Sequence, residues 1–188
     1  DDLTELDGML VVKPARAALE TALLVPQGPG LVTLDSAMRK LGGPDEVLGV
    51  YELMHHWPGT QRLQVTVRLA DGRAESIGES LSRHLLHVHH LPMPTLQFEV
   101  YDDQGNLIGT CDFAWEEHRL LGEFDGKVKY GRLLKPGEEP GDAVFREKVR
   151  EDRLREATAF GMIRFIWADL FRGSATAARL RRMLSRAA

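Results

Sequence analysis

Two acids and two lysines stand on alternate residues in LLGEFDGKVKY, at Glu123, Asp125, Lys127 and Lys129. In an extended strand, a spacing of two turns all four side chains to one face. Such a face makes a poor core surface and a good catalytic one. Carboxylates hold a hard divalent cation, and a lysine offsets charge that builds on a phosphate. A third acid, Asp112, sits in GTCDFAW between Cys111 and Phe113. An ionised carboxylate among apolar neighbours is costly unless it is paired or metal-bound. A hairpin would bring the two strands side by side, so that Asp112 and Glu123 share a cation such as Mg2+ (or Mn2+). That ion takes one or two protein carboxylates and fills its remaining positions with water. These are the parts that metal-assisted phosphodiester hydrolysis needs.

Plainer readings stand beside these. Ser76 and Glu79 have the Ser-x-x-Glu spacing of a capping box, so Glu79 is either a site acid on a helix or the acceptor half of that cap. Glu123 and Lys127 also suit a same-face ion pair, which would leave Asp112 unexplained. The histidines do not read as ligands. His55 and His56 diverge by about 100° on a helix, and the run His84, His87, His89, His90 leads straight into Pro92.

The elements that must position these residues follow from pattern. Residues 1 to about 65 read as small helices. Pro14 suits the first turn of one over Ala15–Leu24, TLDSAMRKLGG holds a second stopped by Gly42, and Pro44 to Trp57 a third. TQRLQVTVRLADG leans to helix. Ile77, Leu81, Leu85 and Val88 repeat at helical spacing. TLQFEVYDDQGNLIGTCDFAW then reads as two strands around a turn, with Leu107, Gly109, Cys111, Phe113 and Trp115 on one face and Thr110 and Asp112 on the other. HRLLGEFDGKVKY is the third strand, DAVFREKVREDRLREATAF a charged helix, GMIRFIWADL a fourth strand in which Trp167 continues the alternation, and ATAARLRRMLSRAA a basic closing helix. The order of the second part is α-β-β-β-α-β-α.

Composition bounds the rest. The chain has 188 residues, 43% of them apolar and 28% charged, enough for one sizeable core with a helical annex. No apolar run of about 18 residues suggests a membrane span, and no secretory signal pattern is present. The single cysteine, Cys111, excludes a disulfide framework and points to a soluble protein of the reducing cytoplasm. From Arg146 onward there are 11 Lys/Arg against 5 Asp/Glu, a net of +6 beside −10 for everything before it. This asymmetry suits a polyanionic partner, with Arg179, Arg181, Arg182 and Arg186 as phosphate contacts, or simply a solvated helix surface. The opening DDLTELDGMLVV lacks a methionine and reads as mid-protein sequence, so a further N-terminal portion is expected.

The segments GESLSRHLL, LPMPTLQFEV, GTCDFAW, LLGEFDGKVKYGRLL, REDRLRE and GMIRFIWADL, taken in order, resemble the restriction-endonuclease-like domain related to the very-short-patch repair (Vsr) endonucleases. The likeness covers roughly Glu75 to Leu170. It implies a PD-(D/E)XK core, an α/β fold with a mixed sheet flanked by helices, and a Mg2+-dependent nuclease ancestry. By position it implies that Asp112 is the first-strand acid, Glu123 the second, Asp125 its neighbour on the strand face and Glu79 the helical acid, with Lys127 in the D/E-x-K position. Relatives often carry His where this chain has Lys129, a better base near neutral pH than a protonated lysine. The first third, with LDGMLVVKPARAALETALLVP, is similar to actinobacterial AbiEi-like antitoxins, in which a winged helix precedes the nuclease-like domain.

Two domains follow, a helical segment over 1–70 and a nuclease-like domain over 71–188. The leading functional expectation is an endonuclease acting on DNA, with the metal on Asp112 and Glu123, charge stabilisation by Lys127 (favoured) or Lys129, and Glu79 and Asp125 in support. The alternative is a DNA-binding regulator or antitoxin with a nuclease-like fold and no turnover. A purely structural interaction module is the third.

Overall fold

In the computed structural model, residues 3–126 and 140–185 are described. Lys127, Lys129 and Arg186 lie outside the described residues. The chain divides into two units between His84 and Leu85, later than the boundary read at residue 70. That boundary followed a change in local pattern, whereas the division follows contacts.

The first unit opens with a feature the helical reading missed. Strands β1 (Leu3–Leu6) and β2 (Met9–Val12) form an antiparallel hairpin with Leu6 opposite Met9. Asp7 and Gly8 connect them with φ of 50° and 78°. Two successive positive φ values define the tight turn whose twist matches a hairpin, and Asp-Gly is a preferred sequence for it. Four helices follow: α1 (Pro14–Leu24), α2 (Gln27–Lys40), α3 (Asp45–Leu53) and α4 (Leu63–Leu69). Ala15, Ala18, Leu19 and Ala22 of α1 form one face and pack with Leu34 and Met38 of α2, Val47 of α3, and Leu63 and Val67 of α4. α2 stops where Gly42 takes φ of 79°, while the Gly43 N–H reaches back to the Met38 carbonyl at 2.9 Å. TQRLQVTVRL is helical, as its leaning suggested.

Helix α5 (Ile77–Val88) carries the division between the units. Beyond it the described residues give β3 (Thr95–Tyr101), β4 (Leu107–Trp115), β5 (Leu120–Asp125), α6 (Pro140–Thr158), β6 (Gly161–Ile166), α7 (Trp167–Phe171) and α8 (Gly173–Leu184). The expected order therefore holds, with one short helix added. The fold class is α/β, and the second unit carries a four-stranded mixed sheet in the order β3-β4-β5-β6. The first three strands run antiparallel and β6 pairs parallel to β5, with Glu123 beside Arg164. A parallel pair needs a crossover, and α6 lies in that connection.

Two details differ from simple alternation. Cys111 joins Val100, Ala114, Leu121 and Leu154 in one core cluster, whereas Phe113 meets Trp115 and, edge-on, Phe165. The expected common face for Cys111, Phe113 and Trp115 is therefore broken. The break coincides with Gln97 on the paired strand, which has φ of 51°. The fourth strand also ends at Ile166 rather than running through Trp167. The Asp169 carboxylate accepts the Ile166 N–H at 3.0 Å and starts α7, and the Trp167 ring stacks edge-on against Phe124.

Candidate functional site

The site begins at the place where β4 and β5 part. Their ladder pairs Trp115 with Leu120, Ala114 with Leu121 and Phe113 with Gly122, and stops there. Continuing the register would set Asp112 opposite Glu123. Instead the Asp112 carboxylate accepts the Phe124 backbone N–H through Oδ2 at 2.7 Å. A side chain thus holds the two strands together beyond the last backbone rung. Asp112 is half-buried, and Asp125 at the end of β5 is half-buried too.

Glu123 has a different environment from the one its spacing suggests. Its Oε1 accepts from the Arg150 guanidinium of α6 and its Oε2 from Arg164 of β6 at 3.1 Å. Arg164 also reaches Glu151 at 3.2 Å, and Glu151 pairs with Arg155 at 2.6 Å. Arg150 further donates to the Thr110 carbonyl at 3.5 Å. The network ties β4, β5, β6 and α6 together, with Glu123 at its centre and nearly buried at 9% exposure. Hydrogen bonds to charged groups contribute about 1.5–3 kcal/mol each. Glu123→Ala is therefore expected to cost at least about 1.5–3 kcal/mol in a denaturant melt, while Asp125→Ala stays within about 0.5 kcal/mol, as for substitutions away from such networks. Equal small losses would show that the arginine clamp carries no weight.

Glu79 lies in the first unit, and its carboxylate serves the cap. Ser76 Oγ donates to Glu79 Oε1 at 2.7 Å, the Glu79 N–H donates to Ser76 Oγ at 3.2 Å, and Glu79 Oε2 accepts the Glu75 N–H at 2.8 Å. This is the capping-box alternative, with the carboxylate taking the Glu75 N–H and the Ser76 hydroxyl.

The arginines expected to touch phosphate divide in the same way. Arg179 donates to the Arg164 carbonyl and to Asp169, both at 3.2 Å, and its Nε is buried without a hydrogen-bond partner. Arg181 donates to the His89 carbonyl. Arg182 is exposed on the last turn of α8. Arg179 and Arg181 thus bind protein groups, though Arg181, like Arg182, stays exposed.

Among the described residues, no three His, Cys, Asp or Glu side chains gather as a metal cage. Mg2+ takes one or two protein carboxylates with waters, so the donor set to test is a pair. Glu123 does not fit, because two guanidinium groups already neutralise it and would repel a dication. Asp112 and Asp125 fit by chemistry: both offer hard oxygen donors, on neighbouring strands at the end where the ladder has opened. The residues that sequence reading passed over are Arg150, Glu151 and Arg164. For Arg164 the signal was the alternation of β6, which turns it away from the face of Ile163 and Phe165.

The chain is 30% identical over 187 residues to the uncharacterized protein Rv2248 of Mycobacterium tuberculosis strain H37Rv, and equally to the uncharacterized protein MT2308 of strain CDC 1551. The alignment covers 98% of this chain and 65% of each relative, so the chain spans just under two thirds of their length. No family model matches the sequence. No solved structure matches the fold.

Proposed function

We propose that the second unit is the nuclease-like domain of a metal-dependent endonuclease that hydrolyses phosphodiester bonds in DNA. The observation that carries this reading is Asp112, a carboxylate set where β4 and β5 separate, on a sheet of order β3-β4-β5-β6 with further acids on the adjacent strand. The PD-(D/E)XK resemblance implies Asp112 as its first acid and Glu123 as its second; with Glu123 held by two arginines, Asp125 on the same strand takes the second place. Asp112 and Asp125 would hold Mg2+ (or Mn2+), which supplies an activated water and offsets phosphate charge. Glu123 keeps Arg150 and Arg164 in place as a fixed positive wall. Charge stabilisation by Lys127 or Lys129 belongs to the same proposal. So does a cytoplasmic location, which the lone buried Cys111 suits. No described helix is long and apolar enough to cross a membrane.

A second reading has its own observation. The neutralisation of Glu123 by two arginines favours a DNA-binding regulator or antitoxin that keeps the scaffold and has lost turnover. Supercoiled plasmid incubated with the purified protein separates the two. Nicking that appears with Mg2+ or Mn2+ and vanishes with EDTA is the expected result. Intact plasmid under every metal condition, together with a mobility shift, would overturn the endonuclease reading and leave the regulator.

A further inference from the structure

Helix α6 is charged along most of its length, yet among its described residues it leaves two large apolar side chains open. Phe145 is 68% exposed and Val149 40%. They are four residues apart, and Arg153 follows at the same interval, so the three share one stripe of the helix. With Ile108 of β4 and Arg150 they line a groove of about 330 Å3. The groove therefore has an aliphatic floor, an open phenyl ring and two guanidinium groups. Asp102 of the β3–β4 turn feels the charge of Arg153: its carboxyl is held below the ordinary value of 3.8, first by hydrogen bonds from Asn106 and also by that guanidinium. At its other end the groove meets the candidate site, because Arg150 also bonds Glu123.

A ligand matched to this surface carries a flat apolar ring and an anion a short distance apart. A nucleotide unit has that composition. We propose that the groove seats one nucleotide of an unpaired DNA strand, its base on the Phe145 ring and the Ile108–Val149 floor, its phosphate on Arg150 and Arg153. The occupant follows from charge complementarity: two arginines beside an aromatic ring form a stacking platform with a phosphate anchor. A base inside a duplex is already stacked and does not present its face. The groove thus lays the strand toward Arg150, next to the acids. The inference rests on the nucleic-acid part of the reading above and needs no cleavage.

Fluorescence anisotropy of a labelled oligothymidylate in EDTA tests it. Wild type should bind the single strand more tightly than a duplex of equal length. Phe145→Ala should weaken that binding about tenfold or more, as for the loss of one base stack, and Phe145→Trp should retain it. Arg153→Gln should make binding less sensitive to salt, because one fewer phosphate is neutralised. Both positions are exposed, so circular dichroism should be unchanged. Wild-type affinity in Phe145→Ala overturns the proposal, and so does duplex binding as tight as single-strand binding. An acidic Glu-Leu peptide that binds with the same Phe145 dependence, while the oligonucleotide does not, overturns it in favour of a protein partner. A chain that nicks plasmid without this Phe145 dependence loses the groove alone. One that binds through Phe145 and never nicks loses only the endonuclease reading.

Discussion

Asp112→Asn is expected to abolish metal-dependent plasmid nicking and to leave the melt of the protein unchanged. The two halves of this expectation come from the shape and the charge of the carboxylate. An Asn side-chain carbonyl still accepts the Phe124 N–H, now satisfied by Asp112 Oδ2 at 2.7 Å, so the junction of β4 and β5 survives. The charge that a hard cation requires is gone. Rates should fall by at least about 10²–10³, the range for removing one preorganised electrostatic contact. Asp112→Ala gives the contrast. It leaves that strand N–H without its acceptor, which costs about 1–3 kcal/mol, and it is equally inactive. Wild-type nicking by Asp112→Asn at matched Mg2+ or Mn2+ would sink the assignment of this carboxylate to a metal.

The second large effect lies in the first unit and concerns stability alone. Asp35 and Arg83 are buried together, at 1% and 4% exposure. Asp35 Oδ2 accepts from Arg83 at 2.7 Å, Oδ1 accepts the Asp71 N–H at 2.8 Å, and Arg83 also donates to the Leu69 carbonyl. The pair therefore joins α2, the end of α4 and α5. Removing one member leaves a buried charge without its partner, which typically costs about 3–5 kcal/mol. Asp35→Ala is expected to lose that much in a urea melt followed by circular dichroism. Asp35→Ala with Arg83→Met should lose less than the sum of the single changes, because neither charge is then left alone. A single-variant loss under about 1 kcal/mol would contradict the pairing. Burial raises the Asp35 carboxyl above its ordinary value of 3.8, against the opposing pull of Arg83. The unfolded chain then ionises first as pH rises. Wild type should lose stability relative to Asp35→Asn from about 3.8 up through the folded value.

Much of this architecture was legible because it is local. Pro14 and Gly42 marked helix ends, Ser76 and Glu79 marked a cap, and the Asp102–Asn106 turn marked a hairpin; each of these signals acts within a few residues. The hairpin at Asp7–Gly8 is just as local, and the reading of residues 1 to about 65 as small helices passes over it. The site was legible in part. Asp112 could be singled out by its apolar flanks, whereas the role of Glu123 could not. Its partners are 27 and 41 residues away in sequence, and no spacing rule joins them. Strict alternation also misplaced Cys111, since the irregularity coincides with Gln97 on the paired strand, and no residue of β4 itself signals it.

The parallel pairing of β5 with β6 has a consequence for the order of assembly. β3, β4 and β5 are joined by short turns, so their contacts carry little loop-closure entropy. The contact between Glu123 and Arg164 spans 41 residues, and non-local pairings of this kind are slow to form. While the antiparallel meander stands alone, Glu123 is an acid on an edge strand with neither arginine in place. Docking of β6 covers that edge and, with α6, brings Arg150 and Arg164 onto the acid. Until that moment the unpaired rim of β5 is open to another strand, and a charge on it is the kind of residue that keeps such rims from joining. The same carboxylate thereby guards the nascent sheet before it braces the finished one.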